Sequence, residues 1–315
     1  MNVTAESSMP MRQAIGEALV ECGGKHPDIV VLDADTSSST LTKYFAAAYP
    51  ERFFNVGISE ANMVSIAAGL SLAGKIPFVA SFAFLLALRS GDQIRSQIAY
   101  GNLNVKLLGG YCGLSDFADG ASHQSIMDLA VMRALPNMTV VCCADITEAQ
   151  QMIAATADHQ GPAYIRVSRA ECKRLFKEGL HPFQIGKAIR LQEGSDLTLI
   201  ATGSMVAAAI EAADALKRAG IQPEVLEVHT LKPFDTQSIV DSAAKTGKIV
   251  TCEEHSLIGG LFSAVSEVVV RHDPVPVVPV AVADRFGQSG SYADLLAEYR
   301  LRSQDIVDAA ISLLD

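Results

Sequence analysis

Short apolar runs, too brief for helices, recur between longer stretches of helical periodicity. That alternation limits the folds open to this chain. The runs are DIVVLDAD (28–35), RFFNVG (52–57), KIPFVASF (75–82), NVKLLGGY (104–111), MTVVCCAD (138–145) and AYIRVS (163–168). None alternates strictly between apolar and polar residues, which suits strands buried on both faces. Periodic stretches lie between and beside them at 9–22, 39–49, 59–74, 86–100, 123–134 and 147–159. This rhythm predicts a mainly parallel sheet with helices on both sides. It pauses over a charged segment carrying Gly179, Pro182 and Gly186. It restarts with strands at LTLIATGS (197–204), EVLEVHTL (224–231), KIVTCEEH (248–255) and VPVVPVAV (275–282), separated by helices at 205–219, 235–245 and 260–271. A last helix near 303–314 follows Ser303, a suitable N-cap. The expected fold is α/β: two doubly wound domains, 1–170 and a smaller 193–315, with a linker at 171–192.

Composition removes several functions. The formal net charge of the 315 residues is −10, with no block of like charges. Nucleic-acid binding needs clustered Lys and Arg, so it is not expected. The most apolar region, 64–88, is broken by Lys75 and Pro77 and lacks the ~18 apolar residues of a spanning helix, so no membrane association is expected. The N-terminal MNVTAESSMPMRQA has no apolar core of signal-peptide type. The six Cys show no C-x-x-C spacing and mostly sit in apolar runs, as reduced core residues of a cytoplasmic protein do. The seven His show no H-x3-H pairing, so no metal site is expected within this chain.

Active sites of parallel α/β sheets lie beyond the carboxyl ends of strands. The polar residues there are Asp33, Asp35 and Ser37–Ser39, then Glu60, then the aromatics Phe82 and Phe84, then Tyr111 to His123, Asp145, and Ser168–Arg169. Glu60 is the only charge in VGISEANMVSIAAGLSLAG (56–74). One reading makes Ser59 an N-cap and Glu60 a helix-dipole partner worth ~0.3–1 kcal/mol. The other notes that this helix lacks a polar face and reads as buried all round, where a carboxylate is costly without a partner. A cofactor nitrogen would be one. The loop GGYCGLSDFADGASH carries Asp116, Asp119 and His123, with glycines at 109, 110, 113 and 120. It reads either as a surface loop with Ser122 capping a helix from 123, or as a functional loop. Arg169 is either a solvated strand-end residue or an anion clamp. No P-loop, nucleophile elbow or dinucleotide fingerprint is present.

Several motifs in order then resemble the C-terminal half of transketolases: LDADTSSSTL (32–41), RFFNVGISEANMVSIAAGL (52–70), FAFLLALRSGDQIR (82–95), DGASHQSIMDLAVMRALPN (119–137), RVSRAE (166–171), LKPFD (231–235) and EEHSLIGGLFSAV (253–265). The resemblance covers nearly the whole chain and implies a pyrimidine-binding domain followed by a transketolase C-terminal domain. It implies thiamine diphosphate as cofactor and transfer of a two-carbon ketol unit from a ketose to an aldose. Glu60 matches the family's carboxylate on N1′ of the aminopyrimidine, which favours the imino tautomer that removes the proton from the thiazolium C2. Phe82 matches an aromatic residue on the pyrimidine, with Ile58, Phe84 and Leu85 beside the same ring. Leu85 stands where a second aromatic is common. Asp119 and the catalytic His123 match residues near the sugar hydroxyls and transferred carbons. Arg12, Ser39 and Arg169 match residues that hold the acceptor's phosphate. Tyr111 stands where a phosphate-binding His is usual, and Asp116–Phe117–Ala118 replaces a turn containing Gly and Glu. Both changes point to an anionic sugar other than an ordinary pentose or hexose phosphate.

The family's G-D-G motif with its later Asn, which holds the diphosphate through Mg2+ or Ca2+, is not found in this sequence; GDQ at 91–93 lacks the second Gly. The resemblance therefore implies one subunit of a split transketolase, in an α2β2 assembly whose N-terminal partner carries those ligands. The alternatives are the β subunit of a 2-oxoacid dehydrogenase, a 1-deoxyxylulose-phosphate synthase, and a non-catalytic partner of the same fold.

Overall fold

The computed structural model describes residues 8–177 and 183–315. Two main sheets form. The larger runs Thr230–Lys232, Thr139–Cys142, Ala163–Val167, Lys106–Gly110, Ile76–Phe82, Ile29–Asp33 and Phe53–Asn55, and every neighbouring pair but the first is parallel. Its central strands are apolar on both faces because both are covered. Ile29, Val31, Phe78 and Leu108 pack with the helices Met11–Lys25 and Ile146–Asp158. Val30, Leu32, Val79 and Leu107 pack with Glu60–Leu72, Asp128–Ala134 and the 85–99 segment.

The smaller sheet runs Val277–Val282, Ile249–Ser256, Leu197–Ala201, Pro223–Glu227 and Ile189–Gln192, the last antiparallel. Met205–Arg218 and Ser303–Leu314 cover one face. Ile239 and Ala243 of Thr236–Thr246, with Leu261 and Val265 of Leu261–His272, join the core of the larger sheet. One apolar core therefore runs between the halves.

Several details depart from the sequence reading. The run 224–231 is not one strand. Val228 N still bonds to Ala201 O in the smaller sheet, but His229 O accepts from Cys142 N, and Thr230–Lys232 lies antiparallel on the larger sheet. Ser8–Pro10 pairs with Glu171–Lys173, and Ile189–Gln192 edges the smaller sheet. Strands thus occupy both ends of the segment read as a linker, whose Gly179 and Pro182 lie outside the described residues. Short antiparallel edges of three or four residues carry too little periodicity to register. The helix Tyr292–Glu298 is also absent from the sequence reading. Leu41, at φ +61°, splits 39–49 into Ser37–Thr40 and Lys43–Ala48. The helix read from 123 begins at Asp128, after a 3-10 turn at Gly120–Ser122, so Ser122 caps nothing. The cap of the final helix is Arg302, whose N–H donates to Asp305 Oδ2 at 3.0 Å, and Ser303 is the first helical residue.

All six Cys are free thiols, five of them buried and Cys172 half-buried. Among the described residues no helix is long and apolar enough to cross a membrane.

Candidate active site

Glu60 opens the helix Glu60–Leu72 just past the strand Phe53–Asn55 and is 2 % exposed. Ser59 makes no side-chain cap bond. The helix is not buried all round, because Asn62, Ile66, Gly69 and Leu72 leave one face open. Glu60 Oε2 lies 3.3 Å from Arg89 Nη1, whose side chain is 56 % exposed. Arg89 closes the π-helical turn Leu85–Arg89, in which Ser90 N bonds to Leu85 O, five residues back. Such wide turns cluster at functional sites. A buried carboxylate met by one long bond to a half-exposed cation has lost most of its water without a firm substitute. Leu85 is buried in the same turn, while Ile58 is 76 % exposed.

Across the sheet edge, Phe82 ends its strand with its ring centroid 4.6 Å from Tyr111 and 6.5 Å from Phe84. His123 stands edge-on to both, 6.0 Å from Phe82 and 5.3 Å from Phe84. Ser122 Oγ is 2.9 Å from His123 Nδ1. Tyr111 is buried at φ +62°, a strained conformation for a bulky residue. Its hydroxyl accepts from Arg12 Nη1 at 2.7 Å and donates to Ser39 O at 3.4 Å, and Arg12 Nη1 also donates to Ser39 O at 2.9 Å. Arg169 lies 5.0 Å from the Tyr111 ring and 5.1 Å from Phe117, and Nη1 donates to the buried Asp116 Oδ1 at 2.8 Å. Burial, then the charge of Asp119, push the Asp116 carboxyl up against the pull of Arg169.

Arg12, Ser39, Tyr111, Phe82, Phe84, His123 and Arg169 thus form one connected cluster, with the exposed Asp119 at its rim. Among the described residues Glu60 bonds to Arg89 and not to this cluster. Two acids at strand ends turn out to be scaffolding. Asp33 accepts from Thr36, Thr40 and Thr42, fixing the turn that delivers Ser39. Asp145 caps its helix through Glu148 N at 2.8 Å and also holds Leu175 N and Phe176 N.

Sequence reasoning missed how the loop 111–127 is held. Glu254, at the end of Ile249–Ser256, accepts from Leu114 N at 2.6 Å and from Ser204 Oγ and Tyr292 OH, each at 2.6 Å. Gly113, at φ +61°, admits that carboxylate, since a Cβ there would stand 2.5 Å from Glu254 Oε1. Gly290 N bonds to Phe117 O, Gln124 Nε2 to Gln288 O, and Ser256 N to Ile126 O. The C-terminal half therefore shapes the loop bearing Asp116, Asp119 and His123. The signal was present in EEHSLIGG, where three titratable residues end an apolar strand. Glu254→Ala is expected to raise the hydrogen-exchange rate of the Leu114 amide at least about tenfold, one lost charge-assisted bond. Unchanged protection of 111–127 would show the clamp to be idle.

Glu253 and His255 flank it, fully buried and 3.7 Å apart. Glu253 accepts from Leu261 N and Phe262 N. Burial pushes its carboxyl up to about 7 and the His255 imidazole down to about 4. A raised acid makes stability fall as pH climbs toward 7. A depressed imidazole makes it fall as pH drops from about 6.5 to 4. The two slopes oppose each other in the native chain. Glu253→Gln removes the first, so relative to wild type the variant should lose up to about 1.4 kcal/mol per pH unit as pH drops from about 7 toward 4.5. Urea unfolding across that range checks this, and parallel stability profiles would refute it.

Comparison with known proteins identifies the family of both halves. Residues 7–174 match the family "Transketolase, pyrimidine binding domain" and residues 186–306 match "Transketolase, C-terminal domain". A "6-deoxy-6-sulfo-D-fructose transketolase subunit" of Clostridium sp. (strain MSTE9) is 41% identical over 300 residues, covering 95% of this chain and 93% of that one. An "Apulose-4-phosphate transketolase" subunit of Phocaeicola vulgatus is 34% identical over 310 residues, covering 98% and 99%. A solved "Split gene transketolase, inactive beta4 tetramer" superposes with a TM-score of 0.89 at 44% identity over 98% of this chain and 99% of that chain. The chain belongs to the transketolase family, as a protein of two α/β units built like its pyrimidine-binding and C-terminal domains.

Proposed function

We propose that this chain is the C-terminal subunit of a two-subunit transketolase, transferring a two-carbon ketol unit from an anionic ketose to an aldose with thiamine diphosphate. The observation that carries the reading is Glu60: a buried carboxylate at a strand end, loosely met by Arg89, on the sheet edge where Ile76–Phe82 also ends in a half-buried pair of Phe rings. These residues fit an aminopyrimidine, which offers a ring nitrogen to the carboxylate and an apolar face to Phe82 and Phe84. When bound, the cofactor supplies the electron sink that lets a ketose carbon–carbon bond break. Glu60 would hold the proton on N1′ of the pyrimidine. His123 Nε2 would bond to a sugar hydroxyl and Asp119 would orient the same carbons. Arg12, Ser39 and Arg169 would take the distal anion.

The two relatives above, covered almost end to end, are each called a subunit, which supports a partner that supplies the diphosphate and Mg2+ ligands. An open apolar face supports assembly with it, and with further copies in an α2β2 arrangement. It includes Leu72, 76 % exposed, and Tyr100, 88 % exposed, on neighbouring helical segments. The test is reconstitution with a diphosphate-binding subunit, thiamine diphosphate and Mg2+, followed by a donor–acceptor screen. Ketol transfer by the complex, and none by the isolated chain, is the expected result. A complex that decarboxylates pyruvate or a branched-chain oxoacid without ketol transfer would overturn the reading.

A further inference from the structure

The distal anion pocket has an unusual charge count. Two guanidinium groups face it, from Arg12 and Arg169, and one buried carboxylate answers them: Asp116, whose Oδ1 is 2.8 Å from Arg169 Nη1. Asp116 is fully buried, so this ion pair is screened little by solvent. The Arg169 guanidinium also lies over two rings, Tyr111 at 5.0 Å and Phe117 at 5.1 Å. Arg12 spends Nη1 on the Tyr111 hydroxyl and Ser39 O, while its Nε is buried with no bonding partner. Summed over the buried and half-buried groups, the pocket offers one uncompensated positive charge and a few N–H groups, and the exposed, solvent-screened Asp119 beside Asp116 lowers rather than raises that charge. A terminal phosphate monoester brings about −1.5 to −2 at neutral pH, whereas a sulfonate brings −1 with three acceptor oxygens.

We propose that the distal pocket takes a sugar whose terminal group carries a single negative charge, of the sulfonate class, and that Asp116 sets this preference by neutralising Arg169. The proposal rests on the transketolase reading above. The two relatives named there have one sulfonated and one phosphorylated sugar in their names, so the choice is made by this chain's own charges. Tyr111 belongs to the same device. Held at φ +62°, it fills the space between the two arginines with a neutral hydroxyl instead of a third cation.

The experiment uses the reconstituted complex with one uncharged aldose acceptor, so that only the donor's terminal group differs. 6-Deoxy-6-sulfo-D-fructose is compared with D-fructose 6-phosphate. Wild type is expected to favour the sulfonate by about tenfold or more in kcat/KM, mostly through KM, the size of one unmatched charge in a partly buried site. Asp116→Asn is expected to shrink that ratio by about tenfold, chiefly by lowering KM for the phosphate. A merely structural role for Asp116 would raise both KM values together. Binding of the two sugars to the turnover-deficient Glu60→Gln complex, measured by calorimetry, gives the same comparison without catalysis. A wild-type preference for the phosphate, or an unchanged ratio in Asp116→Asn, overturns the proposal. Transfer from neither donor, with 2-oxoacid decarboxylation in its place, overturns the transketolase reading itself, and this inference with it. If the variant does not fold, the wild-type ratio decides alone.

Discussion

Glu60→Gln is expected to lower ketol transfer by the reconstituted complex by about 10²–10⁴-fold, the span of a lost general acid–base group. Glutamine keeps the reach and volume of the side chain, but it cannot stabilise a proton on a ring nitrogen by charge. The site around it stays intact, because Glu60 bonds only to Arg89 among the described residues. Thiamine diphosphate should still bind, since the proposed partner holds its other end, and thermal stability should not fall. Neutralising a buried, loosely paired carboxylate removes a desolvation penalty. Single-turnover kinetics and cofactor titration on the same preparation separate the two effects. Turnover near the wild-type rate would remove Glu60 from the mechanism.

The largest expected stability effect lies beneath the loop. Asp128 and Arg166 are buried and joined through Nε–Oδ2 at 2.8 Å, and Tyr164 OH donates to the same Oδ2 at 2.8 Å. Arg166 also reaches Ser125 O and Glu254 O, so it ties the loop to both halves. Asp128→Ala leaves a guanidinium buried without its counter-charge and is expected to cost about 3–5 kcal/mol. Asp128→Leu with Arg166→Met removes both charges and should recover most of that loss. A double variant no better than the single one would show that the charge itself is not the cost. Burial alone would raise the Asp128 carboxyl, but Arg166 and the hydrogen bonds hold it below the usual carboxylate range. Its contribution is thus present at neutral pH and is lost only as acid titrates the folded pair.

What can be read in the residues follows from how local each signal is. Central strands such as IVVLD and the helix of Ile146–Asp158 declare themselves, because burial on both faces and an apolar stripe are written in consecutive residues. Glu60 is legible because a lone carboxylate conflicts with its apolar surroundings. Arg89 lies within a family motif yet carries no local sign of its role, since only a five-residue turn swings it onto Glu60. The open face of the Glu60–Leu72 helix is hidden in the sequence because small and apolar residues look alike whether they face a core or another surface. Asp33 and Asp145 are visible as strand-end acids, but whether such an acid faces ligand or its own backbone is decided by the turn that follows. Glu254 acts through a peptide N–H 140 positions away, at Leu114, a pairing that no local pattern encodes.

Thr230–Lys232, lent by the C-terminal half to the larger sheet, bears on how such a gene can be rearranged. Without it the apolar strand Thr139–Cys142 becomes a bare edge, a row of open N–H and C=O groups that invites pairing between chains. Recombination at the junction between the halves would therefore move a structural element of one along with the other. An exchange that brings no matching strand is expected to leave that edge open.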